Sequence, residues 1–221
     1  MILQLETATT NCSVSLSSEG ETLVFKEDYG SKYSHAERLH VYIDEVVKKA
    51  GIKLSELGAV AVSKGPGSYT GLRIGVSAAK GLCYALDIPL IAIPTLQSLA
   101  SQVQEESGLI IPMIDARRME VYSAVYNMDC SEIRETKAEI LDKNSFSNYL
   151  EQGTIHFIGD GVKKASEIIN HENARFIHDK LPSANNLSRF SHECFKEKRF
   201  EDIAYFEPYY LKDFIALKPK S

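Results

Sequence analysis

The chain lacks the sequence signatures of several enzyme and membrane classes. It has no run of 18 apolar residues, so it contains no typical transmembrane helix. No Gly-Lys-Ser/Thr closes a glycine-rich loop, and no Gly-x-Ser-x-Gly forms a nucleophile elbow. The start of the chain, Met1–Ala8, has no basic region and reads directly as a strand. We therefore expect no secretory signal, no membrane contact and a cytoplasmic protein.

The sequence also lacks the clustered ligands of a metal site. Its four cysteines are scattered without a Cys-x-x-Cys pair, which argues against a zinc ribbon. Without a secretory signal, we expect the cysteines to be reduced and mostly buried. His35 and His40 are five residues apart, about 140° around a helix, and cannot share one ion. We expect no metal centre and no bound cofactor.

Strong positive charge is missing as well. The chain has 221 residues and a formal net charge of −5. Because phosphate binding needs clustered Lys and Arg, the chain by itself is a poor candidate for gripping nucleic acid. Its length suits one two-lobed domain or two small ones.

The first hundred residues predict an antiparallel meander followed by alternating helices and strands. Strands are predicted at Ile2–Thr7, Cys12–Ser17, Thr22–Lys26, Ala59–Val62 and Pro89–Ile93, and helices at Ser34–Gly51, Gly71–Leu86 and about Leu96–Glu106. The second strand alternates apolar and polar residues strictly, which is typical of a half-buried strand. Ser34 and Glu37 form a capping box at the start of the first helix.

The second half of the chain repeats this order. Strands are predicted at Leu109–Asp115, Glu120–Tyr126, Lys137–Leu141, Ile155–Gly159 and near Arg175–Ile177, and helices at Phe146–Gln152, Val162–Asn170 and about Asn186–Lys198. Three antiparallel strands followed by alternating helix and strand thus occur twice. We predict two three-layer α/β lobes side by side, residues 1–102 and 103–221.

A glycine-rich corner, Ser63–Gly75, separates a predicted strand from the second helix. Gly65, Gly67 and Gly71 follow G-x-G-x-x-x-G, one residue longer than the dinucleotide-binding fingerprint. Two interpretations are open for this corner. In the first, which we favour, it is a tight turn in which the backbone conformation requires glycine. In the second, it is a phosphate-binding loop.

The helix after this corner carries more apolar residues than one sheet can cover. They sweep an arc of roughly 200°, whereas a helix resting on one sheet needs about 100°. Arg73, Ser77 and Lys80 occupy the narrow remaining side. The surplus packs either within its own lobe or against another chain. Gly71 and Gly75, one turn apart, would let a second helix approach closely.

Three further segments have two interpretations each. Glu6–Asn11 resembles the phosphate turn of actin-like kinases, although Ala8 replaces the expected glycine and hairpin threonines are common. Asp115–Tyr122 concentrates charge at a hairpin, either as ion pairs that fix the turn or as a site for a charged partner group. Gly159–Gly161 either faces a nucleotide or turns the chain.

Taken together, seven segments resemble the TsaB family, the dimerisation subunit of the bacterial tRNA threonylcarbamoyladenosine system. The segments are ILQLETATTNCSVSL, SHAERL, GPGSYTGLRIGVSAAKGL, IPTLQSLA, DARRMEVY, GDG and PYYLKD. The sequence of the glycine-rich segment is the most specific of these. Glu6 and Lys212 depart from the family, which usually has Asp and Arg at these positions.

The resemblance implies an actin-like (ASKHA, ribonuclease-H-like) fold of two duplicated lobes in the glycoprotease-like family. It implies a pseudoenzyme, because the related TsaD transferase has a His-x-x-x-His pair where this chain has Pro94–Leu99 without histidine. The implied partners are a TsaD-like catalytic subunit in a heterodimer, a TsaE-like ATPase, and tRNA through the complex. A homodimer is the competing state. An ATP-binding kinase or ATPase of the same architecture, or more remotely a metalloprotease, is the alternative.

The resemblance also places a partner interface on the first two helices, with no catalytic residue. The interface residues it implies are Tyr69, Gly71, Leu72, Arg73, Gly75, Val76, Ala79, Lys80, Cys83, His35, Arg38 and Tyr42. On this basis Gly75→Arg is expected to abolish pairing while leaving the chain folded.

Overall fold

The structure is a computed structural model that describes residues 1–29 and 35–212. Ser34, which we predicted to cap the first helix, lies outside the described residues. Within these ranges, no helix is both long and apolar enough to cross a membrane.

The first sheet has five strands, and its helices connect the parallel ones. The strands are β1 (Ile2–Glu6), β2 (Cys12–Ser18), β3 (Glu21–Asp28), β4 (Ala59–Gly65) and β5 (Leu90–Pro94), in the order β3-β2-β1-β4-β5. The first three strands pair antiparallel, while β4 pairs parallel with β1 and β5. The helices are α1 (His35–Ala50), α2 (Tyr69–Leu86) and α3 (Thr95–Ala100). α1 and α2 cover the same face of the sheet.

The second sheet repeats the topology of the first. Its strands are β6 (Leu109–Asp115), β7 (Glu120–Tyr126), β8 (Glu132–Ile140), β9 (Ile155–Ile158) and β10 (Ala174–Ile177), in the order β10-β9-β6-β7-β8. The short helices α4 (Ser147–Leu150) and α5 (Val162–Ser166) lie in its connections. Counted from the first strand of each sheet, both orders read 3-2-1-4-5. The predicted duplication of α/β lobes is therefore confirmed.

The C-terminal part of the chain returns to the first sheet. After a 3-10 turn at Ala184–Leu187, α6 (Ser188–Lys196) packs on the sheet face opposite α1 and α2. Glu201 then forms an antiparallel bridge with Leu90. One apolar cluster here includes residues of both sheets, so the two lobes share part of their core.

β2 is buried on both faces, which corrects the prediction of a half-buried strand. Val14 and Leu16 join the core under α1. On the other face, Ser13 Oγ accepts from Ala184 N at 2.9 Å, and Ser15 Oγ donates to Ala184 O at 2.8 Å. The serines are buried without penalty because their hydroxyls are hydrogen-bonded to the returning chain.

Most predicted elements are present, and the differences lie at their ends. The third helix stops at Ala100 instead of continuing to about residue 106, and β8 begins at Glu132 rather than Lys137. All four cysteines are free and buried, as predicted.

Candidate partner-binding face and a closed phosphate turn

The turn between β1 and β2 is closed by the glycine-rich corner of the same chain. Ser68 N donates to Ala8 O at 2.7 Å. A Cβ atom on Gly67 would lie 2.5 Å from the same carbonyl oxygen, closer than real Cβ atoms approach. The two backbones are therefore in direct contact, and no phosphate group fits between them. The glycines meet a backbone constraint, as the first of our two interpretations proposed.

Gly71 and Gly75 also face this turn. A Cβ atom on either glycine would come within 3.0 Å of Thr7, at the carbonyl oxygen for Gly71 and at Oγ1 for Gly75. Thr7 Oγ1 donates to Gly71 O at 2.8 Å, which ties α2 to the end of β1. This corrects the expectation that the two glycines let a second helix approach closely, because the β1–β2 turn of the same chain fills that space.

Glu6 lies fully buried beneath the closed turn. Its Oε1 accepts from Ala8 N at 2.6 Å. Burial raises the pKa of Glu6 to about 7, although hydrogen bonds from Ser63 and from the backbone of Ala8 and Thr7 lower it. Covered by its own turn and bound to the backbone of Ala8, this carboxyl group suits a structural role.

Most of the predicted interface residues on α2 are buried inside their own lobe. Gly71, Leu72, Gly75, Val76, Ala79 and Cys83 are buried. Tyr69 and Lys80 are half-buried, and Arg73 is exposed. Of the two alternatives for the surplus apolar arc, packing within the lobe is therefore the observed one.

The predicted residues on α1 are also held by their own lobe. His35 is buried, with Nε2 2.7 Å from Thr9 O. Tyr42 is buried and its hydroxyl donates to Asp28 at 3.4 Å, while the half-exposed Arg38 forms an ion pair with the same carboxylate. These side chains fix α1 against the sheet and the β1–β2 turn.

The C-terminal segment, residues 203–212, covers one flank of α2. Lys80 Nζ donates to Ala204 O at 3.3 Å and to Phe206 O at 2.9 Å. The Phe206 side chain packs against the apolar core beneath α2. Sequence reasoning missed this segment, and its signal was the run of aromatic residues near the end of the chain.

The same segment then crosses the mouth of the glycine-rich corner. Tyr209 N donates to Lys64 O at 2.7 Å. The Tyr210 ring lies 4.7 Å from the Tyr69 ring, and the Arg73 guanidinium stands 4.3 Å from the centroid of Tyr69. The segment therefore covers one side of α2 from within the same chain.

Both helices keep exposed residues, which together we call the outer α1–α2 face. On α2 it consists of Thr70, Arg73, Ser77, Gly81, Tyr84 and Ala85, and on α1 of Ala36, Glu37, His40, Val41, Asp44, Glu45, Lys48 and Lys49. Tyr84 is 83% exposed and Val41 is 51% exposed, so both side chains offer apolar area on this face. A Cβ atom on Gly81 would meet nothing within 4 Å.

The acidic residues of the hairpin between β6 and β7 interact with other groups of the same chain. Asp115 Oδ1 accepts from Arg117 N at 2.6 Å and from Lys164 Nζ at 2.8 Å. Glu120 pairs with Lys212. The two acids therefore form ion pairs, but with lysines from outside the turn and not with Arg117 or Arg118, as reciprocal pairs within the turn would require. Arg117 and its neighbour Arg118 are exposed, and among residues 1–29 and 35–212 neither forms an ion pair.

The Gly159–Gly161 segment turns the chain against β6. A Cβ atom on either glycine would come within 3.0 Å of Met113. Between them, Asp160 Oδ1 accepts from Asp115 N at 2.8 Å. In the part of the chain that the structure describes, no group of three or more His, Cys, Asp or Glu residues could hold a metal ion.

Two lobes of equal topology with a shared core define a protein of the actin-like class. A family model described as "TsaD: tRNA N6-adenosine threonylcarbamoyltransferase" matches residues 30–216. The chain is 29% identical to the tRNA threonylcarbamoyladenosine biosynthesis protein TsaB of Escherichia coli strain K12, over 98% of this chain and 96% of that protein. It is 36% identical to the TsaB protein of Bacillus subtilis strain 168 over 57% of this chain and 54% of the relative.

A solved structure gives the same result. YeaZ from Pseudomonas aeruginosa superimposes with a TM-score of 0.82 at 27% identity, covering 95% of this chain and 99% of that one. The chain belongs to the TsaD glycoprotease-like family and, within it, to the TsaB group.

Proposed function

We propose that this chain is a cytoplasmic, non-catalytic subunit in tRNA threonylcarbamoyladenosine biosynthesis, the process for which its relatives are named. The observation that carries this proposal is the closed β1–β2 turn. Ser68 N bonds to Ala8 O, and Gly67 stands against the same carbonyl, so the space for a phosphate is filled by the chain itself. A member of this family with that turn closed is better suited to support a catalytic partner than to transfer a group.

The proposed partner is a TsaD-like catalytic subunit, bound at the outer α1–α2 face. Ser77 and Gly81 are small, exposed and one helical turn apart, so a partner helix could approach α2 closely there. Tyr84 and Val41 would supply buried apolar area, and Arg73 would lie at the rim. A second copy of this chain could use the same face in an isologous homodimer, which is the competing state.

A TsaE-like ATPase completes the proposed assembly, and tRNA reaches it through the complex. The competing function is an ATP-binding kinase or ATPase of the same fold. Calorimetry with ATP and magnesium distinguishes the two functions. Heat of binding to this chain alone at millimolar nucleotide would favour the kinase or ATPase, and no heat is expected for the subunit.

The decisive test is native mass spectrometry of this chain, alone and mixed with the TsaD-like protein of the same organism. We expect a one-to-one heterodimer that forms at the expense of the homodimer. A mixture at tens of micromolar that contains only the separate proteins would contradict the proposal.

A further inference from the structure

We propose that the β6–β7 turn contacts the backbone phosphates of the RNA substrate through Arg117 and Arg118. This inference rests on the proposed function, because that function brings RNA to the assembly. It goes beyond it by giving this chain a direct RNA contact, in a protein whose net charge of −5 otherwise disfavours one.

The turn is the topological counterpart of the closed β1–β2 turn, but it is open. β6 and β7 occupy the positions in the second sheet that β1 and β2 occupy in the first. The β1–β2 turn is buried beneath the glycine-rich corner, whereas Asp115 and the three residues Arg117, Arg118 and Met119 are exposed. The second turn is therefore accessible to a large partner.

The acids near this turn already have partners, and two of them form ion pairs with lysines. Lys164 pairs with Asp115 at 2.8 Å, and Lys212 pairs with Glu120. The Asp160 carboxylate points back to the backbone of Asp115, where it accepts a hydrogen bond. With these acids engaged, the two arginines leave the tip of the hairpin with a net positive charge.

The backbone acceptors of the turn are also satisfied from within. Lys164 Nζ donates to Arg118 O at 2.6 Å and to Glu120 O at 3.0 Å. Ala116 N donates to Glu120 O at 3.0 Å, which closes the hairpin. Within residues 1–29 and 35–212, these contacts hold the backbone of the loop without a hydrogen bond from either guanidinium, so both side chains are available to a partner.

The backbone of both arginines favours other residue types. Their φ angles are +70° for Arg117 and +51° for Arg118, in the left-handed region that glycine and asparagine adopt most easily. The backbone of the turn therefore does not favour arginine at these positions. The side chains are the feature that remains to be explained, and a ligand that needs two guanidinium groups explains them.

Phosphate is the group that this pair fits best. Guanidinium presents paired N–H donors that match phosphate oxygens bidentately, and the charge is retained at any working pH. Two neighbouring cations on a narrow hairpin tip can reach successive phosphates along a strand without reading bases. The contact would position RNA rather than select its sequence.

The test measures binding of an unmodified tRNA transcript by fluorescence anisotropy across a range of salt concentrations. It compares the natural chain with the double variant Arg117→Gln/Arg118→Gln, each alone and mixed with the TsaD-like subunit. For the variant we expect roughly tenfold weaker binding at 0.1 M salt and a slope of log Kd against log salt that is smaller by about 1 to 2. The variant Arg117→Lys/Arg118→Lys keeps both charges but loses the bidentate donors, so it should keep the natural salt slope and recover only part of the affinity.

A matched control removes two positive charges elsewhere. Arg175→Gln/Lys180→Gln changes exposed residues at the β10 edge of the same sheet and should leave both affinity and slope unchanged. Equal salt slopes for the natural chain and the Arg117/Arg118 variant would overturn the inference, as would equal losses in the variant and the control.

Native mass spectrometry of the same mixtures separates this inference from the proposed function. If the arginine variant loses the heterodimer while tRNA affinity is unchanged, the turn binds an acidic protein surface and the RNA contact is wrong. If the natural chain forms no heterodimer, the proposed function fails. The anisotropy of the chain alone then still decides whether the arginines bind RNA.

Discussion

Gly75 lies directly against Thr7: a Cβ atom on Gly75 would be 2.3 Å from Thr7 Oγ1, and that hydroxyl donates to Gly71 O at 2.8 Å. Gly75→Ala would press a methyl group into the hydroxyl. We expect a loss of about 1 to 3 kcal/mol in the free energy of unfolding, the usual cost of overpacking a core. Urea denaturation followed by circular dichroism measures it.

A double variant tests whether the Thr7 side chain is the cause. Thr7→Ala removes Oγ1 and one hydrogen bond, at a cost of about 1 kcal/mol. Adding Gly75→Ala to Thr7→Ala should then cost clearly less than in the natural chain, because the nearest atom is gone. Additive losses would show that Gly75 is constrained by something other than Thr7.

This contact changes the choice of variant for the pairing test. Gly75→Arg is a poor probe, because the buried arginine would disturb the lobe itself. Gly81→Arg places the same side chain on the outer α1–α2 face, where a Cβ atom meets nothing within 4 Å. We expect Gly81→Arg to keep the natural unfolding free energy within about 1 kcal/mol, since glycine is unfavourable inside a helix, and to weaken heterodimer formation at least tenfold.

Ala138→Arg, on the exposed side of β8 in the other lobe, is the matched control for Gly81→Arg. It should pair normally. Normal pairing of Gly81→Arg would remove the outer α1–α2 face from consideration.

The sequence predicted the sheets well because their signals are local. Apolar runs and turn residues predicted the strands and helices in their order along the chain, and the repetition of that order predicted the duplication. The ends of elements were less accurate, since α3 stops at Ala100 where the chain turns into the linker between the lobes.

The predicted site was less accurate because burial by distant segments is not a local property. A helical wheel shows that α2 has more apolar surface than one sheet can bury. It cannot show that residues 203–212 and the β1–β2 turn bury the rest. The serines of β2 were read as solvent-facing for the same reason, since Ala184 and α6 come from the far end of the chain. A helical wheel that counts only apolar residues also gives no weight to Gly81, which is exposed on the outer α1–α2 face.

The buried carboxyl group of Glu6 makes stability depend on pH. Its pKa is raised from 4.5 to about 7 by burial. Below pH 4.5 the group is protonated in both folded and unfolded chains, so its favourable contribution is fully present. As pH rises from 4.5 through 7 the unfolded chain ionises first, and the folded chain loses about 3 kcal/mol relative to acid pH.

Glu6→Gln removes this titration. The unfolding free energy of Glu6→Gln minus that of the natural chain should rise by about 3 kcal/mol between pH 4.5 and pH 8, because only the natural chain must bury a charge. Denaturation at several pH values measures the difference. A difference that stays constant with pH would show that Glu6 titrates alike in the folded and unfolded chains.

Lys80 holds the C-terminal segment against α2. Lys80→Met keeps the apolar stem and removes the donor to Ala204 O and Phe206 O. We expect the amides of residues 203–212 to exchange roughly tenfold faster with solvent deuterium, corresponding to about 1 to 2 kcal/mol of lost local stability. Lys49→Met, on the exposed end of α1, is the control and should leave exchange unchanged. Unchanged exchange in Lys80→Met would mean that apolar contacts alone hold the segment.

The β6–β7 turn should show a conflict between stability and binding. Arg117 and Arg118 both have positive φ, which asparagine tolerates better than arginine. Arg117→Asn/Arg118→Asn should therefore raise the free energy of unfolding by about 0.5 kcal/mol while weakening tRNA binding as the glutamine variant does. Thermal unfolding and anisotropy on the same samples measure the two effects. A variant that loses both stability and binding would assign the arginines to the fold rather than to RNA. Side chains that serve only a ligand can be replaced without loss of folding stability.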